Sequence, residues 1–183
     1  MITREEAIQL IKKYVKNPNL IKHMIAVSAI MRGIAEHFEE DADLWEFTGL
    51  LHDIDYEMIS DNFDEHGLIS AKLLLNILPE TALHTIKAHN SRTGIPEESK
   101  MDTALIASDS LSGLVVATAL IMPDKKLATV KLRSLNKKFK DSSFARNINR
   151  DNIKRCNNLG LSLNEFFALG LTSMQTVSSE LNL

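Results

Sequence analysis

Apolar residues recur at helical spacing along nearly the whole chain, and the elements they predict are all helices. Thr3 and Glu6 form a capping box, after which Ile8, Ile11 and Val15 carry a first helix to the break at Asn17-Pro18. A second helix is predicted from about Leu20 to His37, with Leu20, His23, Val27, Ile30 and Ile34 on its inward stripe. A third starts near Asp41 or Asp43 and reaches about His52, and residues 55–63 follow as a loop. A fourth covers roughly Asp64 to Leu78, Pro79 opens a fifth that ends near His89, and residues 90–98 form a second loop. A long apolar helix then runs until Pro123. Residues 125–155 are expected to form two further helices with a break near 141–143, and Gly160 closes the second of them. A last helix opens at the Ser162–Glu165 capping box. The pattern predicts an all-α bundle.

Composition changes this picture little. Gly (7) and Pro (4) are scarce in 183 residues, which favours long helices over many short strands. The net charge of −3 points neither toward nor away from nucleic acid as a whole. Cys156 is the only cysteine, so no disulfide forms within the chain and a reducing compartment is expected. The segment MITREEAIQL carries acids where a signal peptide needs a basic and then an apolar stretch, so the expected location is cytoplasmic. The stretch from Ala104 to Met122 is apolar enough to raise a membrane span, but Asp109 stands within it. A mid-helix Asp opposes insertion by roughly 2.5–3.5 kcal/mol. A buried core helix bearing a functional acid is therefore expected, with no membrane partner.

The candidate chemistry lies in the first two-thirds, where all six histidines fall. His52 and Asp53 stand where an apolar helix runs into a loop, so both can reach an ion beyond the helix end. Asp109 shares its stripe with Leu105, Ile106, Ser112, Gly113 and Val116, which turns the carboxylate inward; Gly113 leaves room beside it for something bulky. An inward lone carboxylate is costly unless it is paired or bound to a cation. His23 enters the core by the same logic, and His66 and His89 lie at helix ends. Such a His/Asp set from separate helices suits a borderline divalent metal. His37, among acids, and His84, on the face of Glu80, are expected at the surface. Asp55, Glu57 and Asn90 are read as loop polar residues, with proton transfer or ligand orientation as their second reading.

The order His23, His52-Asp53, His66, His89, Asp109 resembles the H…HD…H…H…D pattern of the HD-domain metal-dependent phosphohydrolases. LLHDIDYE (50–57), EHGLISA (65–71), IKAHN (86–90) and SDSLSGLVVA (108–117) strengthen the likeness, which spans roughly residues 20–125. One departure is Asp55, where many relatives carry a glycine after HDI. A length of 183 residues suits one helical domain over 1–183, and the resemblance implies that its metal-site core lies at about 20–125, which leaves a C-terminal extension at about 126–183. It implies that His23, His52, Asp53 and Asp109 hold one divalent transition ion (Fe, Mn, Zn, Co or Ni). His66 and His89 hold a second, with Asp53 bridging. His52 and Asp53 are then the catalytic pair, and a metal-activated hydroxide cleaves a phosphate ester or anhydride of a nucleotide or related small molecule.

Residues 125–155 hold 11 of the 21 basic residues and only two acids, Asp141 and Asp151. Arg133, Arg146 and Arg150 are the candidate substrate-phosphate ligands, with Lys126 and Lys131 beside them, against a reading of the segment as a solvated face. Two alternatives stay open. One is a di-iron oxygenase on the same ligands; the other is a non-catalytic module that binds nucleotide or RNA through the basic segment.

Overall fold

The computed structural model describes residues 2–183 and contains ten α-helices, with no β-strand among the described residues. Helix α1 (Arg4–Tyr14) begins at the reciprocal Thr3–Glu6 capping box. Helix α2 (Pro18–His37) has Asn17 as its N-cap, with Pro18 in the first turn, where a missing N–H does no harm. Asp41 caps α3 (Ala42–Leu51) by accepting from the Leu44 amide. Helices α4 (Leu68–Leu73) and α5 (Glu80–Ala88) are short, whereas α6 (Lys100–Leu120) is the longest. Beyond it come α7 (Leu132–Lys140), α8 (Arg150–Lys154), α9 (Leu163–Thr176) and α10 (Ser178–Leu181).

The α2–α3 pair is the framework of the fold. Gly49 makes their close approach possible, because a β-carbon there would lie 2.9 Å from Met31 Cγ and 3.1 Å from Ser28 Cα. Helices α6 and α9 pack on the other faces of α2, and α7 and α8 lie against α6. One apolar cluster therefore continues from Ala7 to Leu181, and the segment beyond Pro123 contributes Leu127, Leu135, Ile153, Phe166 and Phe167 to it. Helix α6 has the length and mean hydropathy (1.5) of a membrane span, yet 67% of that window is buried inside the fold. Its N-terminus carries a capping box, Ser99–Asp102, that the periodicity did not reveal.

Four expectations need correction. The fourth helix is shorter than the periodicity suggested: residues 64–67 are turns, Gly67 sits at φ +87°, and the Gly67 and Ser70 amides both donate to Asp55, so the helix cannot start before Leu68. Arg150 is not free to hold a substrate, since its guanidinium donates to the carbonyls of Phe139, Asp141, Phe144, Ala145 and Ile148 and ties the end of α7 to the loop before α8. His84 is half-buried rather than superficial, with Nε2 3.2 Å from the Pro96 carbonyl and 3.4 Å from buried Asp102. The space beside Gly113 is taken by Ile148, 3.4 Å from where a β-carbon would stand.

Candidate metal centre

Six side chains from five places in the fold meet at one end of the bundle. His23 projects from the second turn of α2, and His52 and Asp53 follow the last turn of α3. His66 lies on the turn before α4, His89 caps the end of α5, and Asp109 comes from the middle of α6. Asp53 is central. Its Oδ1 lies 3.1 Å from His52 Nε2, 3.2 Å from His66 Nε2 and 3.6 Å from His89 Nε2. Its Oδ2 lies 3.6 Å from His23 Nε2, which is 3.0 Å from Asp109 Oδ1.

Each histidine is oriented through its other ring nitrogen. Nδ1 of His52 donates to the Gly49 carbonyl (2.8 Å) and Nδ1 of His89 to the Ile86 carbonyl (2.5 Å). Nδ1 of His66 donates to Asp55 Oδ1 (2.8 Å). Nδ1 of His23 donates to Ser112 Oγ (3.1 Å), whose own hydrogen goes to the Asp109 carbonyl. These partners fix the tautomer of each neutral ring, so that in the neutral state all four Nε2 atoms turn bare lone pairs toward Asp53. With both rings neutral, His66 Nε2 and His89 Nε2 then face one another at 3.1 Å with no hydrogen between them, and His52 Nε2 is buried without a hydrogen-bond partner. Acceptors gathered in this way repel one another unless a cation lies among them. The set of donors fits a divalent ion.

Without the ion, burial pushes His52 down to about 4. Burial also opposes charge on His66, but its bonds to Asp53 and Asp55 prevail and raise it to about 10, so that without the ion a proton on Nε2 takes its place, and binding an ion there must displace that proton. Asp53 is desolvated too, yet His52, His66 and His89 hold its carboxyl well below the usual range. Desolvation opposes charge on Asp109 as well, but its bond with His23 lowers its carboxyl, so both carboxylates at the centre are ready to meet a cation as anions. Two triads have ligand atoms within 4.8 Å of one another, His23-His52-Asp109 and His52-Asp53-His89. They share His52, whereas the sequence pattern divided the ligands around a shared Asp53.

Asp55 is the residue whose part the sequence left open. It is fully buried; Oδ1 accepts from His66, Oδ2 accepts from the Gly67 and Ser70 amides (2.8 and 2.9 Å), and its own amide donates to Ser70 Oγ. It orients His66. Glu57 instead accepts from the Lys16 and Asn17 amides, and Asn90 donates to the carbonyls of Phe63 and His66, so both act on the backbone.

The centre opens into a cavity of about 670 Å³, otherwise walled by Asn17, Leu20, Tyr56, Glu57 and Ser60. Asp109 and His23 belong to this wall and not to the sealed core, with side chains 36% and 26% exposed. Arg133 and Arg146 are exposed and, like Arg150, Lys126 and Lys131, do not line the cavity. His37, also exposed, lies outside it.

No curated protein and no solved structure matches the chain. The family model of the HD domain matches residues 20–117, just over half of the chain, and all six converging residues fall inside that match. HD domains form a superfamily of metal-dependent phosphohydrolases that bind divalent ions. With that match and an all-helical fold that gathers the histidines and aspartates at one point, the chain belongs to the HD-domain family.

Proposed function

We propose that the protein is a phosphohydrolase that uses one or two divalent transition ions to cleave a phosphate ester or anhydride of a small organic molecule, a nucleotide in class. The observation that carries this reading is the inward convergence of four Nε2 lone pairs on Asp53, each histidine held by a hydrogen bond on its far side. His23, His52, Asp53 and Asp109 would hold one ion, and His66 and His89 together with Asp53 a second. A divalent ion bound there polarises a phosphoryl oxygen and lowers the pKa of a coordinated water toward neutrality.

The chain's own residues supply positioning. Gly49, Ile86, Asp55 and Ser112 keep the rings aimed, so donor geometry is set before substrate arrives. Buried His52 and Asp53 form the dry floor, while half-exposed Asp109 and His23 stand at the open side where a phosphoryl group can enter. Glu57 is held by two amides and is not placed as a free proton carrier.

The test begins with metal-depleted protein reloaded, without oxygen, with Fe²⁺, Mn²⁺, Co²⁺, Ni²⁺ or Zn²⁺. Phosphate release is then measured over monoesters, diesters, nucleotides and cyclic nucleotides. Metal-dependent release in the absence of oxygen is expected, abolished by Asp53→Ala. Stoichiometric metal binding with no hydrolysis across the panel would exclude the proposed activity.

A further inference from the structure

Apart from its histidines, the cavity above the centre has no cationic side chain on its wall among the described residues: no lysine or arginine lines it, and three carboxylates face it, those of Asp53, Glu57 and Asp109. Among basic side chains of the adjoining segments, Lys16 Nζ donates to the carbonyls of Lys12 and Lys13, Arg92 pairs with Asp64, and Arg155, on a neighbouring cavity that shares His89, pairs with Glu97. Lys22 opens onto an adjoining cavity of about 370 Å³ that shares His23 with this one. Leu20, Tyr56, Ser60 and Asn17 make up the rest of the wall, and Tyr56 is 42% exposed.

Phosphate recognition away from metal ions ordinarily relies on Arg or Lys, because a phosphate group carries about −1.5 to −2 charge at neutral pH. Two divalent ions set against three carboxylates leave one net positive charge, which the single charge of a diester neutralises and the roughly −1.5 to −2 of one monoester already exceeds. Each further phosphoryl group adds negative charge beside Glu57 with nothing to meet it. The neutral and apolar wall suits an organic alcohol and not a second phosphate.

We propose that the cavity selects substrates bearing a single phosphoryl group, phosphomonoesters or phosphodiesters of an organic alcohol, and discriminates against di- and triphosphates. This deepens the phosphohydrolase reading and rests on it.

The test compares kcat/KM for the mono-, di- and triphosphate of one nucleoside on the metal-loaded enzyme, with the free ion buffered and metal content measured afterwards. In parallel, calorimetry measures the binding of inorganic phosphate, diphosphate and triphosphate to the same protein. We expect kcat/KM to fall at least tenfold from mono- to triphosphate, and affinity not to rise along the inorganic series. Ser60→Lys, which puts a cation on the cavity wall, should narrow the triphosphate-to-monophosphate ratio, and Lys22→Ala should leave it unchanged. A triphosphate processed as well as the monophosphate, a tenfold gain in affinity along the inorganic series, or a ratio that depends on Lys22 would overturn the proposal. If nothing is hydrolysed while the binding order holds, the phosphohydrolase reading fails and the charge selection stands.

Discussion

Replacing Asp55 with Asn changes one atom of a buried carboxylate that serves three donors at once. Oδ1 receives His66 Nδ1–H, while Oδ2 receives two backbone amides, those of Gly67 and Ser70. An asparagine has only one oxygen to offer. If its oxygen faces His66, its NH2 group confronts two buried N–H donors, and each orphaned donor is destabilising by about 1–3 kcal/mol. The favoured arrangement gives the oxygen to the two amides and turns the NH2 group toward His66 Nδ1. His66 must then accept at Nδ1, so its proton moves to Nε2 and points at His89 and Asp53. The lone pair needed for a metal is lost, although the ring has barely moved. Loss of such a supporting hydrogen bond lowers metal affinity or activity by roughly 10–100-fold. Asp55→Asn should therefore keep its melting temperature within a few degrees of wild type while metal affinity, measured by chelator competition, falls by about that factor. Asp55→Gly should lose affinity and stability together, because it leaves both amides and the ring without a partner. Wild-type metal affinity in a folded Asp55→Asn protein would refute the reasoning and reduce Asp55 to a backbone cap.

The packing carries further consequences. Arg150→Ala removes the donors of four loop carbonyls and of one at the end of α7. It should lower stability by roughly 2–4 kcal/mol in denaturant melts with metal content unchanged, whereas exposed Arg133→Ala should stay within about 0.5 kcal/mol. Equal stability of the two variants would show that the loop does not depend on Arg150. Gly49→Val forces α2 and α3 apart at Met31 and Ser28 and displaces the carbonyl that orients His52. A stability loss of about 1–3 kcal/mol with weaker metal binding is expected, and an unperturbed variant would mean that the helices adjust freely. Burial raises the Cys156 thiol to about 11, so its alkylation at pH 8 should run roughly a hundredfold slower in native than in unfolded protein; equal rates would contradict its burial.

His23, His52, Asp53 and Asp109 were legible because each lies on a helix, or at a helix end, whose apolar stripe indicates which way it faces, whereas His66 and His89 were singled out by the order of residues that resembles the HD-domain family. Less could be seen where backbone geometry or distant partners decide. Residues 64–67 carry a helical pattern, but the positive φ of Gly67 and the pull of Asp55 on two amides hold them in turns. The service of Asp55 to His66 spans 11 residues of loop, a pairing that no periodicity encodes. Arg150 looked like a phosphate ligand because its type and charge are visible in the sequence, whereas the five carbonyls that occupy it belong to the end of α7 and to a loop whose path is not. Asp109 and His23 have apolar neighbours that imply a sealed core; their exposure arises because α2 and α6 border the cavity at that level.

Asp53 is the meeting point of the candidate metal ligands, with Oδ1 near three histidines and Oδ2 near a fourth. Elemental analysis of reloaded Asp53→Ala beside wild type, with helicity verified by circular dichroism, tests that central role most directly. The folded variant should lose most of its divalent metal, and a variant with the wild-type metal content would contradict the assignment of this cluster as a metal centre built on Asp53.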